Sequence, residues 1–287
     1  PMKTTRRATV PALEDMLGTA LPVLDNGFVR VVDYMGDDAA IVQAARVSYG
    51  NGTKTPSDDR GLIRYLMRHR HSTPFEMCEI KFHVKLPIFV ARQWIRHRTA
   101  NVNEVSARYS VLDREFYVPK AEHMAKQSMD NKQGSGEPLG RWIAAATIQS
   151  MHSEADGAFV RYDQWLQAGV ARETARIGLP LSTYTEWYWK CDLHNLFHFL
   201  SLRADPHAQW EIRVYANIIL GIVKQWVPLA YQAFEDYRMN AVTLSAQELS
   251  VIRAWLAGDA VSRHGSGLSS REWDELIDKF PHRRMGD

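Results

Sequence analysis

The segment that most constrains the fold is CEIKFHVKL, residues 78–86, in which apolar and polar side chains alternate without interruption. Alternation places every second side chain on the same face of an extended strand. The apolar face consists of Cys78, Ile80, Phe82, Val84 and Leu86. Pro87 then stands where proline favours the first turn of a helix, and IFVARQWI continues with apolar residues. The segment therefore predicts a half-buried strand that leads directly into a helix.

Other segments predict an α+β fold. Residues 27–36, 115–119 and 182–191 have strand composition, residues 123–138 form a polar loop, and residues 139–168 have a long helical pattern. Strands and helices do not alternate regularly, which argues against a doubly wound sheet. Residues 1–25 are interpreted as a loosely attached N-terminal arm. Residues 241–287 form a helical C-terminal extension with two capping boxes, Ser245 with Glu248 and Ser269 with Glu272.

Composition excludes several classes of protein. The chain has 287 residues and a formal net charge of +2, so no global basic field favours nucleic acid. Its two cysteines are too few for a disulfide framework and suit a reducing cytoplasm. The sequence contains no apolar run near the roughly 20 residues of a membrane span, and its first residues lack the apolar core of a signal peptide. We therefore expect a cytoplasmic protein that does not bind membranes.

The stretch RHRTANVNEVSARYS, residues 96–110, places many polar side chains directly after the predicted helix. Four arginines and a single acid, Glu104, lie between Arg92 and Arg108. One interpretation is a solvated loop. The other is a pocket for an anion, because the guanidinium fork matches phosphate and carboxylate geometry. A nucleic-acid-binding module is a further alternative, with a strong salt dependence.

Two weaker patterns suggest other chemistry. His194 and His198 share a helix face, and His207 follows, so a metal hydrolase is an alternative to histidines that only pack or donate hydrogen bonds. No general base of the His-Glu-x-x-His kind accompanies the pair, and we expect no metal site. Cys78 and Cys191 are interpreted as buried small hydrophobes. Ser106 has no Gly-x-Ser-x-Gly elbow around it.

Several segments together resemble one family. Arg96-His97-Arg98, seven residues and then Ser106 resemble the signature of the flavin-dependent thymidylate synthases, the ThyX family. The other similar segments are residues 45–48 (ARVS), 71–76 (HSTPFE), 175–180 (ARIGLP) and 202–211 (LRADPHAQWE). The resemblance runs from about Gly27 to about Tyr237, so residues 26–240 are expected to form the synthase domain.

The resemblance implies an activity and an assembly. Such enzymes convert dUMP to dTMP with 5,10-methylenetetrahydrofolate as carbon donor, and NADPH reduces a bound FAD that supplies the hydride. The fold implied is α+β, with a mixed or antiparallel sheet packed against long helices. The expected assembly is a homotetramer with active sites shared between subunits. The expected partners are therefore dUMP, folate and NADPH, without nucleic acid.

The resemblance also implies roles for individual residues. The expected FAD contacts are Ser48, His71, Thr73, Arg96, His97, Arg98, Glu104, Asp192, His194 and His198. The expected dUMP contacts are Gln93, Arg96, Glu104, Ser106, Arg108, Arg176 and Arg203, with Arg176 from a neighbouring subunit. Arg203 and Ser106 are the candidate catalytic residues. Arg203 would favour the enolate-like form of the uracil, and Ser106 would bind and orient the nucleotide.

The chain departs from the family pattern at the second FAD segment. Many members have Asn-x-Arg where this chain has Asp192-Leu193-His194, and asparagine where His198 stands. Asn101 occupies a position that is often serine. An ionised aspartate cannot donate a hydrogen bond, and the charge of a histidine depends on pH. The FAD contacts of this segment are therefore expected to differ from those of other members.

Overall fold

The structure is a computed structural model that describes residues 7–47, 59–128 and 134–280. The chain divides into two compact units, one up to Met239 and one from Asn240. The first unit is built around a five-stranded antiparallel sheet with the order β1-β2-β3-β7-β4, and a separate two-stranded sheet pairs β5 with β6. The strands are β1 Ala20–Val23, β2 Gly27–Met35, β3 Glu79–Pro87, β4 Asn101–Glu104, β5 Ala125–Gln127, β6 Ser135–Pro138 and β7 Tyr184–Asp192.

Helices pack around the main sheet and also occur in the second unit. In the first unit they are α1 Pro11–Glu14, α2 Asp38–Val47, α3 Asp59–Arg68, α4 Thr73–Glu76, α5 Ile88–Trp94, α6 Arg141–Gln167, α7 Arg172–Ala175, α8 Leu193–Arg203, α9 Trp210–Trp226 and α10 Pro228–Phe234. A π-helix, Glu235–Met239, follows α10. In the second unit they are α11 Ala246–Leu256 and α12 Ser270–Asp278. The predicted α+β class is confirmed, with an antiparallel sheet.

The alternating residues 78–86 form a half-buried strand, as predicted. Ile80, Phe82, Val84 and Leu86 are buried to 1% exposure or less, whereas the intervening side chains are only half-buried. Phe82 is paired with Trp189 on β7, and their rings stack with centroids 6.2 Å apart. This face of the sheet packs against α5, α8 and α9. Pro87 caps α5, so the predicted helix after the strand is also confirmed.

The N-terminal segment is not loosely attached, at least from Arg7 onward. Strand β1 pairs with β2 in the main sheet, and Leu13 of α1 is completely buried. The interpretation as a loose arm is therefore wrong for residues 7–25. The prolines that suggested it start a helix at Pro11 and sit in an edge strand at Pro22, where a missing N–H is tolerated.

Two further segments differ from expectation. Residues 115–119 make a single bridge, Phe116 with Thr183, rather than a strand. Within the polar segment 123–138, the described residues include β5 and β6, which pair with each other. Pairing between two short polar segments offsets their weak strand composition, which sequence alone does not show.

The unit from Asn240 has a small core of its own. Val251, Leu268, Trp273 and Leu276 are buried together. Both predicted capping boxes are formed, at Ser245 for α11 and at Ser269 for α12. In the part of the chain that the structure describes, no helix combines the length and the apolar character needed to cross a membrane.

Candidate active site

The crowded loop begins where α5 leaves the core. Trp94, the last residue of α5, is completely buried and stacks on Phe199 of α8 with centroids 4.7 Å apart. The rings of Trp187 and Trp189 meet it edge-on, at 5.7 and 5.3 Å. This packing fixes the end of the helix, so residues 96–98 emerge from the core at a defined place.

Residues 96–98 line a large cavity, which we call the arginine cavity. Its volume is about 770 Å³, within the range typical of ligand sites. The lining consists of Leu66, Met67, Arg70, His71, Ser72, Phe75, Arg96, His97, Arg98, Thr99, His194, Asn195, Phe197, His198, Ser201, Leu202, Arg203, Phe234 and Arg238. Among these described residues are five arginines, four histidines and no carboxylate. The cavity therefore favours an anionic ligand.

A neutral histidine holds one of these arginines. The Nε of Arg203 donates a hydrogen bond to Nε2 of His97 at 3.0 Å. Burial, together with the charge of Arg203 and nearby His198, lowers the pKa of His97 to about 4. His97 is therefore uncharged near pH 7 and can accept this bond. Burial also lowers the pKa of Arg203, which means that its charge is incompletely solvated.

A second cavity, which we call the serine cavity, lies at the Glu104 end of β4, whereas the arginine cavity lies near its Asn101 end. Its volume is about 320 Å³. The lining consists of Ile88, Glu104, Val105, Ser106, Ala107, Leu112, Arg176, Leu179, Pro180, Leu181, Tyr184 and Thr185. The hydroxyl of Thr185 donates a hydrogen bond to Glu104 at 2.7 Å, which orients the carboxylate.

The predicted dUMP contacts are divided between the two cavities. Arg96 and Arg203 line the arginine cavity, whereas Glu104, Ser106 and Arg176 line the serine cavity. Strand β4 separates the groups, and its three residue steps span about 10 Å. Arg176 and Ser106 line the same cavity within one chain. The contribution of Arg176 from a neighbouring subunit stays a prediction.

Two predicted dUMP contacts line neither cavity. The side-chain amide of Gln93 is hydrogen-bonded to Gln209. Arg108 lies over the ring of Tyr109, 5.7 Å from its centroid, and its Nε is 3.8 Å from Glu173. Both residues are thus close in sequence to cavity-lining residues, but in this single chain their side chains contact other residues.

Most predicted FAD contacts meet in the arginine cavity. His71, Arg96, His97, Arg98, His194 and His198 all line it. Glu104 lies in the serine cavity instead. Thr73 begins α4 directly after the lining residues His71 and Ser72, but does not itself line the cavity. Ser48 lies outside the described residues.

Asp192 has a structural contact rather than a place in the cavity lining. It caps α8, accepting hydrogen bonds from the backbone N–H of Asn195 at 2.9 Å and from its side-chain amide at 2.6 Å. Asn195 is the residue that faces the cavity. The carboxylate of Asp192 therefore orients Asn195, and its role as an FAD contact stays a prediction.

Sequence reasoning also missed other lining residues. Arg70 and Arg238 add two cations, and Phe75, Phe197 and Phe234 add an aromatic wall. Phe197 and Phe234 stack with centroids 4.3 Å apart. The position of Arg70, directly before the matching segment 71–76, was a usable signal. Nothing in the sequence indicates that the chain returns to the cavity near residue 238.

The histidines do not form a metal site in the described structure. His194 and His198 line the arginine cavity, but His207 is exposed and pairs with Asp205 at 2.9 Å. Within residues 7–47, 59–128 and 134–280, no three histidine, cysteine or carboxylate side chains are placed to hold a metal ion.

Comparison with known proteins identifies the family. A family model described as "Thymidylate synthase complementing protein" matches residues 30–229. A flavin-dependent thymidylate synthase of Ruegeria pomeroyi is 62% identical over 278 residues, covering 96% of this chain and 92% of the relative. Another, of Gluconobacter oxydans, is 61% identical, and the match covers 95% of this chain and 91% of the relative. The chain belongs to the flavin-dependent thymidylate synthases. Neither the nucleic-acid-binding module nor the metal hydrolase is supported.

Solved structures are similar to the main part of this synthase. The UMP/dUMP methylase PolB of Streptomyces cacaoi, bound with 5-Br dUMP, superimposes with a TM-score of 0.69 and 35% identity. The match covers 76% of this chain and 99% of PolB. The Ruegeria relative covers 96% of this chain, so its alignment must include most of the unit from Asn240. The family model itself ends at residue 229, so similarity beyond the expected limit near residue 237 is to individual relatives.

The neutral state of His97 makes a contribution to stability that depends on pH. Its pKa is lowered from 6.5 to about 4 in the folded synthase, so the unfolded chain binds the extra proton more readily. The contribution is complete above about pH 6.5 and is lost as the pH falls toward about 4. We expect the melting temperature of His97→Gln to fall less than that of the wild type across this interval.

Thermal unfolding followed by circular dichroism at closely spaced pH values measures this difference. His264→Gln, which replaces an exposed histidine in the other unit, is the matched control and should follow the wild-type profile. Parallel profiles for His97→Gln and the wild type would contradict a lowered pKa.

Proposed function

We propose that this chain converts dUMP to dTMP, with 5,10-methylenetetrahydrofolate as carbon donor and FAD reduced by NADPH as hydride donor. FAD, when bound, supplies the redox chemistry of the reaction. The observation that carries the proposal is the arginine cavity, whose described lining has five arginines and no carboxylate. We assign the reaction to the synthase domain, residues 26–240, and treat residues 241–287 as a separate helical extension.

The arginine cavity fits a flavin dinucleotide in charge and shape. Arg96, Arg98, His194 and His198 offer donors to phosphate and ribityl oxygens. Phe197 and Phe234, which are almost fully buried and stack on each other, add apolar atoms to the lining. His71 lies just before α4 and Thr73 begins it, and Ser48 is included in the proposed FAD set on the resemblance alone.

The serine cavity fits the phosphate end of the nucleotide. Arg176 supplies a guanidinium fork, and Ser106 supplies a hydroxyl that can both donate and accept. Glu104 is oriented by Thr185 and can accept hydrogen bonds from hydroxyl or ring N–H groups. We include Gln93 and Arg108 in the nucleotide set on the condition that a bound nucleotide replaces their present contacts with Gln209 and Glu173.

Arg203 is the residue that we assign to activation of the uracil. Its guanidinium lies in the arginine cavity and is held by neutral His97 rather than by a carboxylate, so its charge is not cancelled. A fixed cation of this kind stabilises negative charge as it develops on the uracil oxygen, which makes the C5 carbon more nucleophilic.

Neither cysteine is suited to attack the uracil. Both are buried and free. Burial raises the pKa of Cys78 to about 12, and burial also raises the pKa of Cys191 well above its usual value. Both are therefore protonated near pH 7, and a thiol is a poor nucleophile. Two free thiols also fit our proposal of a reducing cytoplasmic location.

The division of the dUMP contacts suggests shared active sites. One chain places its two groups of nucleotide contacts at opposite ends of β4, so we propose that cavities from different chains combine in a homotetramer. Apolar side chains beside the serine cavity support this assembly. Ile177 is 77% exposed and Leu181 is 64% exposed, an arrangement typical of surfaces that become covered.

The activity itself can be tested by omission. Purified protein incubated with dUMP, the folate donor, FAD and NADPH should form dTMP, measured by liquid chromatography. Leaving out any single component, with flavin-free protein used for the omission of FAD, should reduce product to the background level of boiled protein. Product formed without added flavin and from flavin-free protein would contradict the proposal.

The role of Arg203 predicts a large effect on turnover. Arg203→Ala should lower kcat about 10²–10³-fold, because one transition-state charge contact is lost. The melting temperature should change little. Arg92→Ala removes an exposed arginine of α5 that lines neither cavity and should retain wild-type kcat. Full activity of Arg203→Ala would eliminate the proposed activation of uracil.

The role of Ser106 predicts a different kinetic pattern. Ser106→Ala should raise the KM for dUMP about 3- to 10-fold through loss of one neutral hydrogen bond, with residual turnover. Ser110→Ala, in the same loop but outside both cavities, is the control. Steady-state kinetics and dUMP binding distinguish the alternatives. Complete loss of turnover with normal dUMP binding would instead indicate a covalent role for Ser106.

A further inference from the structure

Two arginines that line the arginine cavity are not among the predicted site residues. Both lie on irregular backbone. Arg70 has a φ of +60°, in the left-handed region that side chains other than glycine rarely occupy. Arg238 lies on the π-helix Glu235–Met239, a conformation that often occurs at functional sites. Both line the cavity although they are 168 positions apart in sequence.

The two cations have no acidic partner in the described structure. Arg238 is half-buried, and its Nη2 makes only a long hydrogen bond, 3.4 Å, to the carbonyl of Met67. Burial, and then the charge of Arg70, lower the pKa of Arg238, as expected for two guanidinium groups that line one cavity. No ion pair to either residue is present among residues 7–47, 59–128 and 134–280.

The acids closest in sequence are engaged elsewhere. Asp236 accepts a hydrogen bond from Arg64 at 2.5 Å, and Glu235 accepts one from the hydroxyl of Tyr231 at 3.4 Å. The chain therefore places carboxylates within three residues of Arg238 but does not direct them to it. A half-buried cation without a counter-ion is destabilising, and so is a left-handed arginine. A bound anion would offset both costs.

We propose that Arg70 and Arg238 form a phosphate-binding pair that holds the diphosphate of FAD. The inference rests on the proposed function and extends it to residues outside the predicted FAD set. Two guanidinium groups match the two negative charges of a diphosphate and can each bind oxygen atoms in a bidentate manner. The repulsion between the arginines returns whenever the site empties, which favours a resident ligand over a co-substrate that leaves in each cycle.

The aromatic wall supports the same ligand. Phe75, Phe197 and Phe234 line the cavity together with Arg70 and Arg238. Phe75 lies on α4, shortly after Arg70 in the chain, and Phe234 ends α10 just before the π-helix that carries Arg238. A ligand held by the arginine pair would therefore have apolar side-chain atoms nearby, which suits the aromatic rings of a dinucleotide.

The test compares variants that remove each charge without disturbing the backbone. Arg70→Gly keeps the left-handed conformation at lower steric cost, and Arg238→Met keeps an unbranched apolar stem. Arg68→Ala, which removes an exposed arginine of α3 outside the cavity lining, is the control. Flavin-free protein is titrated with FAD and with riboflavin, and binding is followed by flavin fluorescence.

We expect the Kd for FAD to rise about 10-fold in each variant, the effect of losing one charge-assisted contact. The affinity for riboflavin, which has no phosphate, should not change. The melting temperature of ligand-free Arg70→Gly should equal or exceed that of the wild type, because backbone strain is relieved. Arg68→Ala should match the wild type in every measurement.

An unchanged Kd for FAD in both variants would overturn the proposal. If the variants instead lost only the preference for NADPH over NADH, the anion would be the 2′-phosphate of NADPH, and the diphosphate assignment would be wrong. Failure of the proposed function would appear in the wild type itself, which would then neither bind FAD nor form dTMP.

Discussion

The packing of Trp94 is the interaction on which the rest of the site depends. Its indole is completely buried against Phe199, Trp187 and Trp189, which belong to α8 and β7. That contact joins the end of α5 to β7 and to α8, which carries His194, His198 and Arg203 of the cavity lining. The polar loop that follows can therefore be exposed and highly charged and still start from a fixed position, because it begins directly after a completely buried, closely packed side chain.

The positive charge of the arginine cavity destabilises the protein when no ligand is bound. Five guanidinium groups line one cavity without a carboxylate among the described lining residues. The neutral state of His97 limits this cost by removing one positive charge beside Arg203 while retaining an acceptor for its hydrogen bond. Sites with unbalanced charge are typical of proteins that bind charged ligands tightly, since the ligand supplies the missing counter-charge.

The sequence was most informative where a local pattern had a single structural solution. Alternation in residues 78–86 and Pro87 predicted β3 and α5, and the capping boxes predicted α11 and α12. The segment RHR located one wall of the arginine cavity. Which residues distant in sequence would come together in the fold was not predictable. Arg238 reaches the cavity through the packing of α10 and a π-helix, and β1 was hidden by prolines that are tolerated in an edge strand.

Strand β4 has a consequence for how such an enzyme can vary. Its four residues pair with β7 from Asn101 to Glu104, and the arginine cavity adjoins one end and the serine cavity the other. Losing or gaining one residue would change the separation by about 3.3 Å and would also turn every later side chain to the opposite face. Substitutions can therefore change either cavity without altering this separation, whereas a one-residue insertion or deletion in β4 changes both the separation and the facing of later side chains.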